Sequence, residues 1–106
     1  MEDLLTLDVR VGTIVSAEPL KGARKRAYAL SIDLGPLGRL SSSAQITDLY
    51  DPDELVGLQV TAVVNLPPKR VAGLDSQVLV LAVDNGKSEL VLLIPERPVP
   101  HGSKVS

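Results

Sequence analysis

The sequence predicts an all-β chain closed into a five-stranded Greek-key barrel, with a short helix between strands three and four and an extension at each terminus. Three observations carry this. Residues 28–34 alternate: Tyr28, Leu30, Ile32 and Leu34 face one way, and Ala29, Ser31 and Asp33 the other, as in a half-buried strand. Residues 9–18 are largely β-branched and apolar. A single helix signal, Asp51-Pro52-Asp53-Glu54-Leu55, interrupts the β pattern.

Taken in chain order, residues 2–7 form a short helical turn or lead-in. The first strand, 9–18, has Gly12 inside it, which marks a bend or bulge, and Pro19 ends it. Residues 20–26 (LKGARKR) make a basic loop. Strand two is 28–34, and Gly35-Pro36-Leu37-Gly38 turns the chain into strand three, 39–44. Asp51 is an N-cap, Pro52 takes the first helical position, acids fill the first turn and Gly57 stops the helix. Strand four is 59–66. A second basic loop, 67–77, contains Lys69-Arg70. Strand five is the apolar run 78–83, Asp84-Asn85-Gly86-Lys87 is a hairpin-type turn, and 90–94 returns as a further strand. The proline-rich tail, 95–106, is extended and irregular. A helix between strands three and four is the order of an OB-fold. An SH3-like barrel is the rival and gives less reason for that helix.

The 106 residues make one domain, 1–106. Leu and Val, 18 and 14 in number, build its core, with no Phe or Trp and two Tyr. The absence of Cys excludes disulfides, thiolate zinc sites and a catalytic thiol. No apolar run approaches the roughly 18 residues of a membrane span. Met1-Glu2-Asp3 is acidic where a signal peptide is basic, so the expected location is cytoplasmic, without membrane insertion.

Nothing points to catalysis. The single His, His101, lies in the tail and reads as a solvated residue. The carboxylates at 48–54 suit a helix start and lack the spacing of a calcium loop. No glycine motif of a phosphate loop occurs. Ser41-Ser42-Ser43 has no neighbouring base in sequence to activate a hydroxyl. The expectation is a non-enzyme with no metal and no cofactor.

Net charge is −2, yet the charges are sorted. Lys21, Arg24, Lys25, Arg26 and Arg39 face one acid, Asp33, within residues 21–40, while residues 41–60 carry acids and no base. Lys69 and Arg70 form a second basic point. Solvated loops are the plain reading of such clusters. If the fold brings the two loops to one face, they become phosphate anchors.

Five blocks carry a resemblance. They are Asp8-Val9-Arg10-Val11-Gly12-Thr13-Ile14-Val15, Ala23-Arg24-Lys25-Arg26-Ala27-Tyr28, Ser42-Ser43-Ala44-Gln45-Ile46-Thr47, Asn65-Leu66-Pro67-Pro68-Lys69-Arg70-Val71-Ala72-Gly73 followed by Ser76, and Val99-Pro100-His101-Gly102-Ser103-Lys104-Val105. In this order the chain resembles the tRNA-binding OB domain found at the C-terminus of some methionyl-tRNA synthetases, in the endothelial-monocyte-activating polypeptide and as free-standing dimers. It looks most like the bacterial CsaA branch, described as chaperone-like and linked to protein export. The resemblance spans residues 4–106. It implies an OB barrel, a homodimer and binding of tRNA-like RNA. Carried over by position, Arg24, Lys25, Lys69 and Arg70 line the binding face, with Arg26 beside them. Ser43, Gln45, Asn65 and Ser76 are its polar members. The dimer uses segment 1–8, through Leu4, Leu5 and Leu7, with neighbouring barrel surface. The chain departs from the family at Gly22, Arg24, Arg26, Ala29 and Gln77.

Single-strand OB binders stack bases on aromatic rings. Here Tyr28 sits on the apolar face of its strand, and Tyr50 either packs or contacts a ligand at the surface. A protein without stacking platforms is expected to read folded RNA through backbone and shape. The other readings are a chaperone binding unfolded export clients, for which the same groove is one location, and an adaptor docking on a synthetase or ribosome.

Overall fold

A computed structural model of the chain describes residues 6–106. Its strands are β1 (Val9–Pro19), β2 (Tyr28–Asp33), β3 (Arg39–Ala44), β4 (Gln59–Val63), β5 (Lys69–Val71), β6 (Leu74–Ser76), β7 (Leu79–Val80), β8 (Ala82–Asp84) and β9 (Leu90–Leu92). One helix, α1 (Pro52–Leu55), lies between β3 and β4 as expected. The Glu54 carboxylate accepts the Asp51 N–H at 2.9 Å, fixing the helix start that the sequence marks.

The main sheet runs β3-β2-β1-β4-β7, every pair antiparallel. The far edge then turns back on β3: the Gln77 N–H donates to the Ser41 carbonyl at 2.8 Å and the Val78 N–H to the same oxygen at 3.2 Å. The five strands therefore form a nearly closed barrel of the OB type. The core inside it is mainly aliphatic, with Ile14, Leu30, Ile32, Leu34, Leu55 and Val60 buried and Tyr28 beside them.

β1 serves both halves of the barrel. Its second half pairs with β2, from Thr13↔Asp33 to Pro19↔Tyr28, and its first half with β4, from Val9↔Val63 to Thr13↔Gln59. A bulge between Ile14 and Ser16 lets one strand bend through both pairings. Gly12 sits where the halves meet. A Cβ there would lie 2.5 Å from Ile32 Cγ2 and 2.8 Å from Leu34 Cδ2, so only a bare backbone allows this approach.

Four features differ from the sequence reading. Strand four ends at Val63, because Asn65 and Leu66 already belong to the following loop. The second basic loop contains a hairpin, β5–β6, joined by Ala72-Gly73 with φ of 48° and 84°, a primed turn. The run 78–83 changes partner along its length, from β4 at Leu79–Val80 to β9 at Ala82–Asp84. The tail is not irregular throughout. β2 covers β1 only from Thr13 onward, which leaves Val9 and Val11 with unpaired backbone groups on that edge. The tail fills them: Val11 N–H donates to the Ser103 carbonyl at 2.9 Å, Gly102 N–H to the Val11 carbonyl at 2.7 Å, and Val105 N–H to the Val9 carbonyl at 2.8 Å.

His101 lies on this docked tail and is exposed, in line with its reading as a solvated residue. Its Nδ1 lies 3.3 Å from Asp33 Oδ2, with the ring 43% exposed. The Leu4 and Leu5 positions, and the lead-in reading for 2–5, lie outside the described residues. Leu7 is 43% exposed. Among the described residues no helix is long and apolar enough to cross a membrane.

The packing makes two expectations testable. Gly12→Ala is expected to destabilise the barrel by about 1–3 kcal/mol in urea denaturation, because buried Ile32 and Leu34 must shift. The Asp33 carboxyl is held below its ordinary value, first by the Gly35 N–H donated to it at 2.9 Å and then by His101 and Arg39. A carboxyl lowered in the folded state contributes stability above its unfolded value of about 4, and that contribution disappears as pH falls through the folded value. Asp33→Asn should therefore lower stability at pH 7 and flatten the loss below about pH 4, as read by thermal melts across pH.

Candidate nucleic-acid interface

The barrel's closure brings the two basic loops together. Gly22 in the first loop and Ala72 in the second face each other so closely that a Cβ on Gly22 would stand 3.9 Å from the Ala72 Cβ. Between them lies a groove of about 790 Å³. Arg24 and Lys25 line it from the first loop, and Lys69 and Arg70 from the second. Ser43 and Gln45, at and after the end of β3, and Ser76 at the end of β6, supply polar groups. Ile46, Leu66, Pro67, Val78 and Val80 give it an apolar floor. Among the described residues, no carboxylate lines the groove.

Seven of the nine expected contact residues thus share one surface. Arg26 does not line the groove. It lines a neighbouring hollow of about 230 Å³ with Pro19, Leu20, Thr47 and Pro52, which shares Ala23 and Ala27 with the groove. Arg24 and Lys25 thus share the groove, while the next residue, Arg26, opens onto the adjoining hollow. Asn65 is absent from the lining as well. Its Oδ1 accepts the Asp8 N–H at 2.9 Å, and its Nδ2 donates to the Thr6 carbonyl.

The charges differ in freedom. Arg24, Lys25, Arg26 and Lys69 make no ion pair among the described residues. Arg70 Nη1 lies 2.7 Å from Asp75 Oδ1 across the β5–β6 hairpin. Both side chains are about two-thirds exposed, at 67% and 63%, so water screens the pair and an incoming anion can replace Asp75 at small cost. Asp75 is a residue that the sequence reading did not single out. Its only sequence signal is its place opposite Arg70 once the hairpin is recognised.

The polar residues serve the barrel before any ligand. Ser76 Oγ accepts the Ser43 N–H at 2.9 Å. Gln77 Oε1 accepts the Ser41 N–H at 3.0 Å. The Gln77 carboxamide therefore reaches the closing seam of the barrel. Gln45 is exposed.

Neither tyrosine lines the groove. Tyr28 is 7% exposed and donates its hydroxyl to the Tyr50 carbonyl at 2.6 Å, while Tyr50 Oη accepts the Leu92 N–H at 3.1 Å. That resolves the open reading of Tyr50 in favour of packing. The groove can therefore offer cations, hydroxyls, a carboxamide and an apolar floor, with no ring for base stacking. Among the described residues, no group of three or more His, Cys, Asp or Glu converges to hold a metal ion.

Comparison with known proteins identifies the family. Residues 9–104 match the family model described as "Putative tRNA binding domain". The chain is 42% identical over 105 residues to the methionine–tRNA ligase of Methanoculleus marisnigri, covering 99% of this chain and 15% of that enzyme. It is 38% identical over 104 residues to that of Porphyromonas gingivalis, covering 98% of this chain and 15% of the enzyme. It thus spans about one-seventh of the length of these ligases. Among solved structures, the chaperone CsaA of Bacillus anthracis superposes with a TM-score of 0.93 at 53% identity, covering 99% of this chain and 96% of that one. The CsaA chaperone protein of Picrophilus torridus gives 0.92 at 42% identity with the same coverage. A MetRS related protein from Pyrococcus horikoshii gives 0.87 at 28% identity, over 99% of this chain and 94% of that one. With the family model spanning nearly the whole chain and close structural relatives matched end to end, the chain belongs to the tRNA-binding domain family, as a CsaA-type member of it.

Proposed function

We propose that this protein is a non-catalytic binder of folded RNA, with tRNA as the ligand. The observation that carries the reading is the convergence of Arg24, Lys25, Lys69 and Arg70 on one groove that no carboxylate lines among the described residues. Lys69 and Arg70 lead the phosphate contacts, and Arg24 and Lys25 come next. Arg26 extends the positive surface onto the adjoining hollow. Ser43, Gln45 and Ser76 offer hydrogen bonds to sugar or base edges. The absence of a stacking ring favours a ligand read by backbone and shape over a loose single strand.

The working unit in this reading is a cytoplasmic homodimer. Leu7 contributes from the N-terminal segment. The barrel surface it joins in this reading is the exposed apolar area that includes Val83 in β8 and Leu93 just after β9, 47% and 42% exposed. Two copies double the cations presented to one ligand and offset the net negative charge.

A second reading is supported by the groove's apolar floor and by the solved relatives described as chaperones. In it, the same groove holds an extended segment of an unfolded export client. Suppression of a client's aggregation with no RNA present distinguishes the two.

The test is a salt-titrated binding measurement with folded tRNA, using single-stranded RNA of equal length as competitor. The five basic-loop cations of each subunit predict a log–log salt slope of about 4 per subunit and weak competition. Arg70→Glu is expected to weaken binding roughly tenfold and reduce the slope by about 1, leaving the dimer intact. Unchanged affinity in that variant contradicts the site, and no binding at low salt contradicts the function.

A further inference from the structure

Asn65 stands at the root of the second basic loop, and its side chain turns away from the groove toward the N-terminal segment. It bridges two backbone groups there, accepting the Asp8 N–H at 2.9 Å and donating to the Thr6 carbonyl. One residue earlier, the Val64 N–H donates to the Asp8 carbonyl at 2.9 Å. Asp8 holds Arg10 through both carboxylate oxygens, at 2.7 and 3.2 Å, which keeps the Asp8 carboxyl below its ordinary value. Arg10 Nη1 in turn donates to the Gly102 carbonyl at 3.0 Å. Residues 6–8, β1 and the docked tail are thus tied together.

The chain just after Asn65 is stiff. Pro67 and Pro68 have fixed φ and lead directly into Lys69 and Arg70. Leu66 and Pro67 already line the groove. A direction set at Asn65 is therefore carried with little loss to the two cations. A short carboxamide suits this place, because it presents a donor and an acceptor at once to groups two residues apart. Ala offers neither.

We infer that Asn65 is a positioning residue that clamps residues 6–8 to the root of the second basic loop and so sets Lys69 and Arg70 over the groove. The inference rests on the RNA-binding reading above and assigns Asn65 an action through the loop instead of a contact with the ligand. It also makes the N-terminal segment part of the binding machinery at a distance.

The experiment uses the full chain in a double-mutant cycle, with affinity for folded tRNA and, without RNA, backbone amide exchange as readouts. Asn65→Ala should weaken binding about threefold to tenfold, the scale of one or two lost hydrogen bonds. It should also speed exchange at Asp8, Lys69 and Arg70. In a chain that already carries Lys69→Ala and Arg70→Ala, the same change should cost less than about twofold, because its action runs through those cations. Asn65→Ser, whose hydroxyl is too short to reach both partners, should repeat the pattern. A full, additive loss in the doubly substituted chain means that Asn65 touches the RNA itself and overturns the inference. Unchanged exchange at Lys69 and Arg70 overturns it too. If the unsubstituted chain binds no tRNA, the function falls, and the exchange rates alone decide the clamp.

Discussion

The groove depends on one seam, where β3 meets residues 75–78. Ordinary strand pairing provides only part of it. Ser41 receives the Gln77 and Val78 N–H groups on its carbonyl, donates its hydroxyl to the Asp75 carbonyl at 2.5 Å and gives its own N–H to Gln77 Oε1. Ser43 gives its N–H to Ser76 Oγ. The β5–β6 hairpin hangs from this seam. Without it, Lys69 and Arg70 would not face Arg24 and Lys25. This explains why a serine run sits at the end of a strand with no base to activate it. The hydroxyls are structural donors and acceptors in a place where the backbone ladder is incomplete.

The same closure sorts the charge. A chain with net charge −2 gathers four cations on one groove and, among the described residues, keeps carboxylates off its lining. Several acids serve the fold instead, Asp51 and Glu54 at the start of α1, Asp8 on Arg10, and Asp33 at the Gly35 turn and His101, while Asp75 pairs with Arg70. Overall charge therefore says little about this protein's ligands, while the local field says much.

How much is legible in the sequence differs by element. The alternation of 28–34 and the Asp51-Pro52 cap mark their elements because local periodicity and capping chemistry decide them. The β5–β6 turn is hidden because Ala72 takes a positive φ where Asn or Gly would advertise it. The partner change within 78–83 leaves no trace in an all-apolar run, since period and propensity are the same on both sides of the switch. The tail's pairing depends on an edge of β1 that β2 leaves open, which only the assembled sheet reveals. At the site, residue types and the family resemblance indicate the cations, but not their convergence. They do not show that Arg26 lines the adjoining hollow instead of the groove. Asn65 sits within a family block, and only the structure shows its amide facing away from the groove.

The central claim is that folded RNA occupies this groove. Chemical-shift mapping of the backbone amides during titration with folded tRNA tests it most directly. The account predicts shifts concentrated in residues 22–26, 43–46 and 66–76, fading as salt is raised. Shifts centred on β8 and β9, with the two basic loops silent, would contradict it.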